Sequence, residues 1–305
     1  MSAARWPAGL VTPLVTPLER DVVDRDALGR VIGAQIDAGV GGLVIAGGTG
    51  EYGALSLDER MDLTTAAATL LGGRLPFIVQ TGALATRDSI ALTAHAKDAG
   101  AAGALVASPF GEPISWRERL RFYEQLGAAV DLPIMIYNTP PSGLLSVDQV
   151  HELAGLPNVS AIKDSSGNAT FLLDLLEWAG PREFRVYVGM DSFIDLAITN
   201  GAAGSIVGTG NLIPREIVQA IQICRHRERD EAQLELLQEL RAFMRFMEQS
   251  PSYVGLCKLG VSTDGIEVGD VRPPYLMPEE DEQQEFTKRL DSVRRTFSQA
   301  AIKAL

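Results

Sequence analysis

Eight short, almost uniformly apolar runs recur along the chain at intervals of mostly about 25–30 residues, and this rhythm constrains the fold more than any other feature. They cover Gly9–Thr16, Gly42–Ala46, Pro76–Thr81, Gly103–Ala107, Pro133–Tyr137, Val159–Lys163, Arg185–Val188 and Gly204–Val207. A run that does not alternate apolar and polar residues reads as a strand buried on both faces, the habit of parallel sheets. Helical patterns are predicted between them, over Asp24–Ala38, Ser56–Leu71, Thr86–Ala99, Ser115–Val130, Val147–Leu153, Ala169–Trp178, Phe193–Asn200 and Pro214–Arg225. Ser56 with Glu59 forms a capping-box pattern at the start of the second. Eight βα units predict an α/β chain folded as a (β/α)8 TIM barrel, with an open doubly wound sheet as the alternative. After the eighth unit the pattern turns purely helical, over Asp230–Met247, Tyr253–Val261 and Glu279–Ala301. The expected division is a barrel over 1–228 and a C-terminal α-helical appendage over 229–305.

The net charge of −12 argues against nucleic acid or an anionic membrane as partner, since both require a basic face. No apolar run reaches the ~18 residues of a membrane span. The two cysteines, Cys224 and Cys257, have no metal-type spacing, which fits a reducing cytoplasm. Met1 to Gly9 has no basic stretch leading into an apolar one, so no secretion signal is expected.

In a barrel, chemistry gathers where strands end. Only five lysines are available, Lys97, Lys163, Lys258, Lys288 and Lys303, and Lys163 alone closes a buried run. Burying an ammonium is costly, so a lysine there has reason to act as a neutral amine that attacks a ketone and forms a Schiff base. The bland alternatives are a lysine reaching solvent, or one paired with Asp164 or Glu51. The other four lie in helical patterns and read as surface groups. Tyr137 closes the neighbouring run and can relay protons, or can simply plug the barrel end. Gly47-Gly48-Thr49-Gly50 offers backbone N–H groups and a hydroxyl to a carboxylate. Gly48-x-Gly50-x-x-Gly53 imitates a dinucleotide fingerprint, but the helix starts too late, at Ser56, and no ribose-binding acid follows the next strand. Gly208-Thr209-Gly210 is expected to shape the pocket floor. His95, His151 and His226 read as packing or surface residues, and no metal site is expected.

With these residues in hand, the chain resembles the dihydrodipicolinate synthase / N-acetylneuraminate lyase family of Schiff-base barrels. The resemblance rests on Gly47-Gly48-Thr49-Gly50-Glu51, Tyr137-Asn138-x-Pro140 and Ile162-Lys163-Asp164-Ser165-Ser166-Gly167, with Gly189-x-Asp191 and Val271-Arg272-Pro273-Pro274 in support. It implies Lys163 as nucleophile and Tyr137 as proton relay. Thr49 and the backbone around it, Gly48 included, would take the carboxylate of a 2-keto acid. Gly189 and Ile206 would line the pocket and Ser165 would touch substrate. No cofactor is implied. A homotetramer built as a dimer of dimers is implied, and the apolar Phe243, Phe246 and Met247 are read as surface awaiting a partner.

Three departures bear on the substrate. Authentic synthases of the family carry two adjacent threonines in the first loop, where Gly48 replaces the first. They carry a second tyrosine after the fourth strand, where Phe110-Gly111 stands. They carry an arginine after the strand-five tyrosine, and Pro140-Pro141-Ser142-Gly143 has none. The Gly-Gly-Thr-Gly-Glu form is more similar to sugar-acid members such as 5-dehydro-4-deoxyglucarate dehydratases. The expectation is an aldolase or dehydratase acting on pyruvate or a 2-keto-3-deoxy sugar acid. An authentic synthase and a non-catalytic keto-acid-binding barrel are the alternatives.

Overall fold

The computed structural model describes residues 6–226 and 228–303. Met1–Arg5, on which the reading of the N-terminus partly rests, lie outside the described residues. Eight parallel strands form a closed barrel: β1 (Gly9–Pro13), β2 (Gly42–Ile45), β3 (Phe77–Gln80), β4 (Gly103–Ala107), β5 (Ile134–Asn138), β6 (Val159–Asp164), β7 (Arg185–Val188) and β8 (Gly204–Ser205). Each strand pairs with its sequence neighbour, and β8 closes on β1. The closed ring removes the open doubly wound sheet as an alternative. The predicted strand ends lie within about three residues of those observed.

The helices follow in turn: α1 (Arg25–Asp37), α2 (Leu57–Leu71), α3 (Thr86–Asp98), α4 (Trp116–Ala129), α5 (Val147–Ala154), α6 (Ala169–Ala179), α7 (Ile194–Thr199) and α8 (Pro214–Arg225). Their starts are chemically marked. Ser56 and Glu59 form the expected capping box on α2, and Ser115/Glu118 and Ser146/Gln149 repeat it on α4 and α5. A short antiparallel hairpin, Leu18–Glu19 with Val22–Val23, interrupts the first unit and lies outside the eight apolar runs read from the sequence.

Two hydrophobic layers hold the barrel. One lies between strands and helices. The other fills the bore with one residue from each strand or its extension: Val11, Val44, Ile78, Leu105, Met135, Ala161, Tyr187 and Ile206. Side chains alternate faces along a strand. The residues two positions on, Tyr137, Lys163, Gly189 and Gly208, therefore belong to the same inward set, one layer higher. The lower end is closed by Trp6 and Pro7. The Trp6 indole donates to Ser160 Oγ at 3.0 Å, and the Tyr187 hydroxyl donates to the Pro7 carbonyl. Gly103 is required here, since a Cβ on it would lie 2.3 Å from the Trp6 ring.

Beyond α8 the chain forms α9 (Glu231–Gln249), α10 (Tyr253–Thr263) and α11 (Glu280–Lys303). Two readings of this region are corrected. Phe243 and Met247 are buried against the chain itself, Phe243 beside Phe286, and Phe246 is half-buried beneath the Arg289 guanidinium. They are not surface awaiting a partner. Lys258 is not a surface lysine but is fully buried in α10. Lys97 and Lys288 are exposed as expected, and the Lys303 side chain lies outside the described residues.

Candidate active site

Strand parity brings the site together. Tyr137 at the end of β5 and Lys163 at the end of β6 are direct register partners, and Lys163 Nζ sits 4.4 Å from the centre of the Tyr137 ring. Lys163 is only 6% exposed and makes no ion pair among the described residues. Both suspected partners are engaged elsewhere. The Asp164 carboxylate accepts from Asn138 Nδ2 at 2.8 Å and from Ser166 Oγ at 3.0 Å. Glu51 binds Lys258 at 2.7 Å. Asn138 also accepts from the Leu145 N–H, and its carbonyl accepts from the Ser165 N–H, so the β5 and β6 ends are locked together.

Burial alone would push the Tyr137 phenol up. The Lys163 cation and the neighbouring Thr139 and Ser165 hydroxyls outweigh it and hold the phenol below its ordinary value. A proton-relay group gains from that direction of shift.

A cavity of about 300 Å³ opens above this pair, lined by all seven residues singled out in the sequence: Gly48, Thr49, Tyr137, Lys163, Ser165, Gly189 and Ile206. Glu51 sits in the left-handed region at φ 60°, and its N–H donates to the Gly48 carbonyl, curling the loop after β2. Among the described residues nothing accepts from the Gly48 or Thr49 N–H, and both residues lie on the cavity lining. The Ser165 hydroxyl is buried beside the Tyr137 phenol without a well-formed hydrogen bond among the described residues. Gly189 has no room for a side chain, since a Cβ would lie 2.0 Å from Ser165 Oγ and 2.7 Å from Lys163 Cε. Gly48 is different: a Cβ there would lie 3.9 Å from the Tyr137 hydroxyl, an ordinary contact. Gly208 lines the cavity as expected, and a Cβ on it would strike the Tyr253 hydroxyl.

Sequence reasoning missed three further residues of the lining, Asp191, Tyr253 and Glu248. The Tyr253 hydroxyl donates to both Asp191 oxygens at 3.0 and 3.1 Å, and the Thr209 N–H and hydroxyl also donate to Asp191. Glu248 accepts from the Ser192 N–H and hydroxyl. Burial raises the Asp191 carboxyl to about 6, with Glu248 adding to the rise and the Thr209 and Tyr253 hydrogen bonds opposing it. The Gly189-x-Asp191 motif was the available signal for Asp191. None pointed to Tyr253 or Glu248.

The raised Asp191 value fixes a pH dependence. The folded chain keeps the Asp191 proton up to about pH 6, whereas the unfolded chain releases it near the ordinary value of 3.8. Stability from this group therefore falls as pH rises from about 4 to 6. Wild-type protein is expected to lose roughly 2–4 kcal/mol relative to Asp191→Asn across that window. Urea unfolding of both at several pH values reads the difference directly, and parallel curves would refute it.

A closed barrel with a lysine and a tyrosine paired at one mouth is an enzyme scaffold, and comparison with known proteins gives its family. The model of the dihydrodipicolinate synthetase family matches residues 6–293. A 4-hydroxy-tetrahydrodipicolinate synthase from Methanoculleus marisnigri is 33% identical over 273 residues, covering 87% of this chain and 92% of its own. Among solved structures, YagE of E. coli K12, a prophage protein of the dihydrodipicolinic acid synthase family in complex with pyruvate, superposes with a TM-score of 0.85 at 26% identity. That match covers 94% of this chain and 98% of YagE. The dihydrodipicolinate synthase from Acinetobacter baumannii complexed with pyruvate gives a TM-score of 0.86, also at 26% identity, covering 94% of this chain and 98% of its own. The chain belongs to the dihydrodipicolinate synthetase family. It is an enzyme, a carbon–oxygen or carbon–carbon lyase of that family.

Proposed function

We propose that the enzyme forms a Schiff base between Lys163 and a 2-keto acid, pyruvate or a 2-keto-3-deoxy sugar acid, and acts as an aldolase or dehydratase on it. The observation that carries this is Lys163, buried at the mouth without an ionic partner and stacked on Tyr137. The substrate carboxylate takes the Gly48 and Thr49 N–H groups and the Thr49 hydroxyl, and Ser165 supplies a further hydrogen bond. The Lys163 amine attacks the ketone carbon. Tyr137 delivers a proton to the departing oxygen, which leaves as water. Loss of a proton from the next carbon gives the enamine, which adds to an aldehyde; a carbon–carbon bond cleaves by the reverse path, or a hydroxyl leaves in a dehydration. The protonated imine serves as electron sink throughout. Incubation with a panel of keto acids, borohydride reduction and intact mass measurement test this. One ligand mass per chain is expected, and no added mass with any member would overturn it.

The cavity wall supports a neutral, hydroxylated second portion of substrate over one with a second carboxylate. Among the described residues Lys163 is the only cation on the lining, which also carries Asp191 and Glu248. A 5-dehydro-4-deoxyglucarate or an aspartate semialdehyde would bring a second carboxylate to a lining that holds no arginine among the described residues. A charge-assisted hydrogen bond is worth roughly 1.5–3 kcal/mol, one to two orders of magnitude in rate or affinity. Condensation of pyruvate with aspartate semialdehyde is therefore expected to be weak or absent, and turnover at ordinary synthase rates would contradict this reading.

The resemblance also supports a homotetramer. Exposed Leu84 and Leu144 on loops at the barrel mouth are apolar surface that a second copy would cover. Light scattering at micromolar concentration checks this, and a monomer mass would exclude it. A cytoplasmic setting fits the two free, buried cysteines. Among the described residues, no helix is long and apolar enough to cross a membrane.

A further inference from the structure

Lys258 is the second buried lysine, and the proposed chemistry does not use it. It is fully buried in the middle of α10, between Cys257 and Leu259. Its ammonium lies 2.7 Å from Glu51 and donates to the Asp270 carbonyl at 2.6 Å. The other Glu51 oxygen accepts from the Arg272 N–H at 2.6 Å. The carboxylate that ends the loop after β2 is thus gripped by two separate segments of the C-terminal region. The Arg272 side chain adds to the grip, reaching the Ala54 carbonyl at 3.0 Å and Glu59 at 2.9 Å.

This grip bears on the cavity because the same loop is short and conformationally demanding. Gly48 and Thr49 sit three and two residues before Glu51, and Glu51 holds a left-handed conformation that non-glycine residues adopt uncommonly. The Thr16 hydroxyl fixes the Gly50 carbonyl from one side, at 2.7 Å. The Glu51 side chain fixes the other side, and Lys258 is its charge partner.

We propose that Lys258 is a positioning residue for the loop that receives the keto-acid carboxylate, its pairing with Glu51 holding Gly48 and Thr49 where their N–H groups meet the substrate. The proposal rests on the Schiff-base reading above. It makes the C-terminal helical region part of the binding machinery. A salt bridge with a structural role only would stabilise the fold and leave substrate affinity alone.

The test separates these outcomes with two variants and pyruvate as probe. Lys258→Met leaves Glu51 buried and unpaired. Glu51→Gln/Lys258→Met removes both charges and keeps an oxygen for the Arg272 N–H, and replacing both partners of a buried pair is often neutral for stability. The readouts are the Tm and the pyruvate concentration that gives half-maximal borohydride-trapped adduct. In the double variant the Tm is expected to return close to wild type, while half-saturation stays raised about tenfold to a hundredfold, with one pyruvate per chain on Lys163 at saturation. A double variant with recovered Tm and half-saturation within about twofold of wild type, the scatter of independent effects, overturns the proposal. If the unmodified protein captures no keto acid at all, the Schiff-base reading falls and this proposal falls with it.

Discussion

Lys163→Ala is expected to add no mass at all when incubated with pyruvate and borohydride, while the parent chain adds one ligand. The fold should survive the change. Lys163 has no ionic partner among the described residues, so its removal leaves no opposite charge buried and exposed to the desolvation penalty. Loss of activity should exceed about 10⁴-fold, because removing the proposed covalent nucleophile removes the route rather than one favourable contact on it. Lys258 makes the experiment sharp. It is the only other lysine buried in the described structure, and its ammonium is committed to Glu51. Peptide mapping that places the adduct on Lys258, or labelling of Lys163→Ala equal to that of the parent, would sink the assignment.

Tyr137→Phe distinguishes a relay from a plug. The ring is the part that packs against the lysine, and phenylalanine keeps it. If the ring were all that mattered, turnover would hardly change. A hydroxyl that moves protons while imine and enamine form should instead cost about 10²–10⁴-fold in kcat. Half-saturation should move much less, because the hydroxyl acts mainly in the transition states. Adduct trapping should slow but still reach completion. A variant that keeps more than about a third of the parent kcat, far above that range, would remove Tyr137 from the mechanism.

The barrel and the placing of Lys163 beside Tyr137 were legible for one physical reason. Parallel strands buried on both faces leave long apolar signatures, and a charged residue at the end of one is conspicuous. Ala161 fills the bore, so Lys163, two residues on, must point the same way; Met135 and Tyr137 repeat the argument on the adjoining strand. The part of the lining made by Asp191, Tyr253 and Glu248 was not legible. Asp191 and Tyr253 are 62 residues apart, and only the docking of α10 on the barrel brings them together. The same docking defeated the reading of Lys258. Helical periodicity marks a lysine as surface, yet α10 is apolar around most of its girth, and the flanking Leu256, Cys257 and Val261 were the signal that this helix had no wet side. Phe243 and Met247 misled in the opposite direction. Apolar residues on an appendage look like an interface until the chain's own core is seen to absorb them.

The Trp6–Pro7 plug gives the molecule two unlike poles. The plug packs against the strand starts through Ser160 and Gly103, whereas the cavity opens at the strand ends. The face that carries Trp6 and Pro7 therefore lies at the end of the barrel away from the cavity. An enzyme held on a bead or electrode by that face would point its mouth outward into the medium, whereas crosslinking through the loops that carry Leu84 and Leu144 would cap it.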